Sequence, residues 1–173
     1  MLIIDQNNHI LIVEDNIVYV SSFLPFLYQQ LTLSHSNQKI LAKQLRNKGY
    51  RVSVTNHGLE CLSFLETTTF WTANNNKGES LAVILMDWEM PIMDGLTCIR
   101  RIRELEREGK VTGHVPVVAV TANARSQQRT AAEEAGMDDV VTKPYRVSEL
   151  LAQVSGVVER FERHNWDGVR EGS

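Results

Sequence analysis

Five residues of this chain have side chains suited to handling a charged group, and each stands where an apolar run ends. Glu14 and Asp15 follow "ILIV" (10–13), Asp87 follows "LAVILM" (81–86), Thr121 follows "VPVVAV" (115–120), and Lys143 comes just after "VV" (140–141). Singly, each has a duller explanation as a turn residue, a helix cap or solvated surface. The coincidence of all five at such positions is what argues for a site. Clustered carboxylates raise one another's pKa unless a cation lies among them. Oxygen ligands with positions left for water suit Mg2+. A lysine opposite them offers a compact positive charge to an incoming phosphoryl group. A carboxylate in such a setting can itself be the nucleophile, giving an aspartyl phosphate, with catalysis coming mainly from positioning and charge stabilisation.

The elements that must hold these residues can be read from periodicity. The four runs are near-continuously apolar, as strands buried on both faces of a parallel sheet are. "RVSVT" (51–55) alternates instead and reads as an edge strand facing water on one side. Helical patterns lie between: 37–49, stopping at Gly49; 58–68; 95–109, with Leu96, Ile99, Ile102 and Leu105 on one stripe; 125–136, closed by Gly136 as a left-handed C-cap; and 147–161, with an apolar face from Val147 to Phe161. Five β–α units predict an α/β fold, a doubly wound five-stranded parallel sheet in a single domain. In such sheets ligands bind at the carboxyl ends of the strands, which is where the five residues fall. Residues 72–80 read as a loop before the third strand, and the end of the chain as a frayed tail.

Composition sets limits. Of 173 residues, 43% are hydrophobic, enough for a real core, and the net charge of −3 argues against a nucleic-acid-binding surface. Cys61 and Cys98 make neither a disulfide framework nor a C-x-x-C pair. Each reads as a small buried hydrophobe, which suits a reducing compartment. The N-terminus lacks a basic region and is not a secretory signal. "IVYVSSFLPFLY" (17–28) is too short to span a membrane and is interrupted by Ser21, Ser22 and Pro25, so no membrane insertion is expected.

Taken together, "ILIVEDN", "ILMDWEMPIMDG", "VVAVTANA" and "GMDDVVTKPY" resemble the response regulator receiver domain of two-component phosphorelays, most of all the C-terminal receivers of fungal hybrid histidine kinases. The resemblance covers residues 9–161, leaving 1–8 as an N-terminal extension and 162–173 as a flexible tail. It implies a flavodoxin-like sheet of order 2-1-3-4-5 and a cytoplasmic protein, with the nucleus as a further compartment. It implies Asp87 as phosphoacceptor and Mg2+ held by Asp15, Asp87 and the backbone carbonyl of Glu89, with Glu14 acting through water. Thr121 and Lys143 would contact the phosphoryl group, and Pro144 would follow Lys143 through a cis peptide bond. The implied partners are a histidine kinase, a histidine phosphotransfer protein, or both. The chain is expected to catalyse only its own phosphorylation and dephosphorylation, the kinase portion being absent from it.

Two positions depart from the family. Val140 stands where the family carries an aromatic residue three before the lysine, so Thr121 is expected to close on phosphate without a rotating ring. Twenty residues, 17–36, separate Asn16 from Asn37 where the family has two. This insertion is expected to leave an exposed apolar patch, or to be an intervening sequence retained in the chain.

Other readings fit less well. A haloacid-dehalogenase-like phosphatase would also use an aspartyl phosphate, Mg2+, Thr and Lys, but it expects its nucleophile on the first strand and an aspartate two residues on, where this chain has Glu89. A histidine kinase would need a Gly-rich ATP-binding segment, and a dinucleotide-binding domain a G-x-G-x-x-G after the first strand. A detached C-terminal part of a hybrid histidine kinase remains compatible with every motif.

Overall fold

The computed structural model describes residues 9–15, 38–122 and 126–170. Five strands, β1 (His9–Val13), β2 (Arg51–Thr55), β3 (Val83–Asp87), β4 (Val117–Thr121) and β5 (Asp139–Thr142), form one sheet in the order β2-β1-β3-β4-β5. All four pairings are parallel. The helices are α1 (38–47), α2 (Gly58–Leu65), α3 (Gly95–Arg107), α4 (Ser126–Ala135) and α5 (Val147–Arg170). The expected fold class and strand order are both present.

The continuous apolar runs are explained by cover on both faces. Alternate residues of each strand enter opposite cores. Leu11, Val13, Ile84, Met86, Val117, Ala119 and Val140 join Leu65, Ile99, Ile102 and Ala132 of α2, α3 and α4. Ile10, Ile12, Val83, Leu85, Val118, Val120 and Val141 join Leu41 and Leu45 of α1 and Leu150, Leu151 and Val154 of α5. β2 lies at the edge and is half open to solvent, as its alternation required.

Local capping sets the helix ends near the site. Asp94 caps α3 by accepting a hydrogen bond from Thr97 N at 2.7 Å, and His57 caps α2. Gly136, at φ +101°, ends α4 in the left-handed conformation that favours glycine. One boundary differs from expectation. α5 does not stop at 161 but runs on to Arg170, because that stretch contains no proline and its one glycine, Gly168, costs a helix only about 1 kcal/mol relative to alanine.

At the amino edge of the sheet, α3, β4, β5 and α5 are tied by a charged network. Arg103 donates to Gly136 O (2.9 Å), Val115 O (3.0 Å), Asp138 Oδ2 (3.1 Å) and the Glu106 carboxylate. Asp138 also accepts from Val117 N (2.8 Å) and pairs with His114, and Glu106 accepts from Val115 N (2.8 Å). The His114 ring stacks on Phe161, with centroids 4.1 Å apart. Among the described residues, no helix is long and apolar enough to cross a membrane. Segment 17–28 and the insertion at 17–36 lie outside those residues.

Candidate functional site

The sheet register levels the carboxyl ends of its strands. Val13 stands beside Thr55 and Met86, Asp87 beside Val120, and Thr121 beside Thr142. Asp87 is the last residue of β3, and Glu14 follows β1 directly. Glu14 is held by its own backbone: its N–H donates to Thr55 O (3.1 Å) and its carbonyl accepts from Gln38 Nε2 (3.1 Å) on α1. Gln38 is buried. It was not foreseen from the sequence, where it looks like one polar residue among several at the start of a helix.

Lys143 links the two carboxylates. Its Nζ donates to Glu14 Oε1 and to Asp87 Oδ2, both at 2.9 Å. Burial alone would pull the ammonium's pKa down, but the charges of Asp87 and Glu14 and their hydrogen bonds hold it above the ordinary lysine range. Glu14 shifts in the costly direction for a charge. Burial pushes its carboxyl up more than Lys143 pulls it down, and Asp87 and Asp15 add to the rise. The backbone N–H of Lys143 donates to Thr121 O at 2.7 Å, bringing β4 and β5 together beneath the site. The Lys143–Pro144 peptide bond is cis, as the resemblance implied.

Tyr145, just past that bond, lines the same cleft with Glu14, Asp87, Lys143 and the apolar Leu41, Leu85 and Val120. Burial, more than the nearby charges, pushes its phenol up to about 12. The sequence signal for it was present, since Tyr145 lies in the "TKPY" motif, but no role could be read there.

The turn after Asp87 is tightly specified. A Cβ on Gly95 would come 2.4 Å from the carbonyl oxygen of Asp87, so only glycine lets α3 start this close. Gly95 N donates to Trp88 O (3.1 Å) and Trp88 N to Val120 O (3.3 Å). Between them Met93 N reaches back to Pro91 O at 2.6 Å, closing a three-residue turn that puts Ile92 at φ +66° with its side chain 70% exposed. A β-branched residue held there is strained, at a cost of about 1–3 kcal/mol.

Of the residues singled out from sequence, Glu14, Asp87 and Lys143 therefore converge in direct contact. Thr121 is buried at the neighbouring strand end. Asp15 is half-buried beside Glu14, and Glu89 is exposed on the turn. Val140 is buried in the core, paired with Ala119. Among the described residues no three His, Cys, Asp or Glu side chains form a ready-made metal cage. The donor set nonetheless fits Mg2+, which keeps several waters and needs one or two carboxylates.

A family model described as "Response regulator receiver domain" matches residues 34–155. The match omits β1, although β1 is hydrogen-bonded between β2 and β3. Hybrid signal transduction histidine kinase I of Dictyostelium discoideum is 33% identical over 130 residues, covering 75% of this chain and 7% of its own length. Peroxide stress-activated histidine kinase mak2 of Schizosaccharomyces pombe is 30% identical over 149 residues, covering 86% of this chain and 5% of its own length. The chain thus spans only a small part of these relatives. Among solved structures, the receiver domain of sensor histidine kinase PA1611 from Pseudomonas aeruginosa, with magnesium in its active site cleft, is similar at a TM-score of 0.63 and 28% identity, over 88% of this chain and 98% of that one. The receiver of Saccharomyces cerevisiae Ssk1, crystallised with the phosphotransfer protein Ypd1, shares the fold at a TM-score of 0.65 and 23% identity, over 87% of this chain and 88% of that one.

Proposed function

Because the chain belongs to the response regulator receiver domain family, and so acts as a phosphorelay receiver, we propose that Asp87 is its phosphoacceptor and that Glu14, Asp15, Thr121, Lys143 and the Glu89 carbonyl serve that carboxylate. The observation that carries this reading is the contact of Lys143 with both Asp87 and Glu14 at the carboxyl edge of the sheet. Asp87 Oδ attacks the phosphorus of a phosphohistidine. The P–N bond breaks and its electron pair returns to the imidazole of the donor. Lys143 turns from the carboxylates to the transferred group, pairing with a phosphoryl oxygen as a charge-assisted donor. The Thr121 hydroxyl donates to another of those oxygens, with the buried Val140 in place of a rotating ring. Mg2+, held by Asp15, Asp87 and the Glu89 carbonyl with Glu14 behind a water, would supply charge neutralisation of the phosphoryl oxygens.

The donor on this reading is a histidine kinase or a histidine phosphotransfer protein, as the pairing of the Ssk1 receiver with Ypd1 suggests by analogy. The great length of the relatives also favours a second reading, in which the same chemistry belongs to the receiver segment of a hybrid kinase. Both readings place the domain in the cytoplasm, with the nucleus as a further compartment, and give it no turnover beyond its own phosphoryl group.

The test is acetyl phosphate labelling with Mg2+, followed by mass mapping of the modified residue. Wild type should carry an acid-labile phosphate on Asp87. Asp87→Asn should carry none while melting as wild type does. Labelling of the variant at the wild-type level would refute the assignment.

A further inference from the structure

The chain has two cysteines, and folding brings them together. Cys61 on α2 and Cys98 on α3 are both fully buried in the same apolar cluster. The two thiols are neighbours, and the Cys98 thiol donates to the carbonyl of Gly58 on α2 at 3.5 Å. Gly58 accounts for the closeness. A Cβ built on it would lie 2.9 Å from Cys98 Cβ, so its missing side chain lets α2 press onto α3 at that point. Cys61, three residues further along α2, shares the face that Gly58 presents. The Cys98 side chain therefore packs against the turn of α2 that carries Cys61.

We propose that Cys61 and Cys98 form a redox modification site, a dithiol that converts to an intramolecular disulfide joining α2 to α3. The oxidant is a low-molecular-weight disulfide of the glutathione class. One protein thiolate attacks its S–S bond and expels a glutathione thiolate. The second protein thiolate then attacks the mixed disulfide at the protein sulfur and expels the other. Two S–H bonds of the protein are replaced by one S–S bond, two electrons reduce the oxidant, and the two protons end on the released thiols.

The reaction is slow by construction. The neighbouring Cys98 thiol, together with burial, pushes the Cys61 thiol well up, and a buried protonated thiol is a poor nucleophile. Oxidation therefore runs through opening of α2, a helix of only eight residues, and records sustained rather than brief exposure to oxidant. The cross-link has a reach beyond the core. Gly58 N donates to Met93 O at 3.1 Å, and α3 begins against the carbonyl of Asp87, so tying α2 to α3 fixes both supports of the turn that follows Asp87.

Equilibration of the full chain in glutathione redox buffers, with acid quenching and mass analysis, tests the site. The expected product is a monomer two hydrogens lighter, containing a Cys61–Cys98 linked peptide and melting above the reduced chain. Persistent free thiols, a glutathione adduct or covalent dimer as end product, or a disulfide form that melts below the reduced chain would each overturn the pairing. Cys98→Ser should yield only adduct or dimer, and a monomer two hydrogens lighter from it would overturn the pairing as well.

The coupling to phosphorylation rests on the Asp87 reading and is measured separately. The oxidised form should be labelled by acetyl phosphate several-fold more slowly than the reduced form, reversibly on reduction. Equal rates would overturn the coupling, whereas absence of labelling in the reduced wild type would count against Asp87 itself.

Discussion

At the amino edge of the sheet Arg103 distributes its guanidinium among two backbone carbonyls and the carboxylates of Glu106 and Asp138, and each of those carboxylates also accepts a backbone N–H. At the carboxyl edge Lys143 is divided between Glu14 and Asp87. Among the described residues neither carboxylate there has another hydrogen bond from a side chain or backbone. Both clusters are largely withdrawn from solvent, and both mix charges of either sign. In the first, both carboxylates are anchored by backbone donors as well as by the guanidinium. The second has capacity left over, a carboxyl whose pKa burial raises and a strained residue on the turn beside it. Backbone anchoring, more than charge or burial, separates the two clusters.

The comparison breaks most sharply at Arg103. Removing one partner of a buried network leaves the others uncompensated, at a cost of about 3–5 kcal/mol. Arg103→Ala should therefore lower stability by that amount in a chemical denaturation curve, and a loss below about 1 kcal/mol would mean that the amino edge is not structural. Glu14→Gln should have the opposite sign. Burial raises the Glu14 pKa in the folded chain, so the native state holds that proton more tightly than the unfolded one. The stability it contributes is complete below the ordinary carboxylate range and is lost as pH rises through the raised pKa. Without Mg2+, the variant should be more stable than wild type near neutral pH and flatten that decline. A steeper pH dependence in the variant would reverse the argument.

A similar gain is expected from relieving strain. Ile92→Gly should raise stability by up to about 1 kcal/mol, since glycine accepts the left-handed conformation freely while losing more entropy on folding. A clear destabilisation would show that the turn draws on the isoleucine side chain. The smallest effect is expected from joining Val18 to Asn37. Gln38 already hydrogen-bonds Glu14 from the far side of that segment, and each doubling of loop length costs only about 0.6 kcal/mol. That variant should melt within about 1 kcal/mol of wild type, and loss of cooperative melting would show that the removed residues belong to the fold.

What could be read in advance follows from the same physics. Strands buried on both faces announce themselves as apolar runs, and their carboxyl ends announce the residues they carry, so Glu14, Asp87 and Lys143 were legible. Arg103, Glu106, His114 and Asp138 were not. On α3 the first two look like ordinary solvated charges, and nothing local says that His114 and Asp138 come to meet them. The cysteine pair was hidden in the same way, since its contact depends on how closely Gly58 lets two helices approach. The far end of α5 was missed because polar residues and Gly168 near the end of the chain read as a tail, although none of them forbids a helix.

The hydrogen bond from Gln38 to Glu14 also bears on how the lineage of this chain can be traced. It joins the end of β1 to the start of α1 directly in space, whatever the number of residues that pass between 15 and 38. The family match begins at residue 34 although the preceding strand lies inside the sheet. Related chains with long passages at this junction should be recoverable by pairing the two flanking motifs, an acidic pair after an apolar strand and a buried glutamine opening the next helix, however far apart they lie.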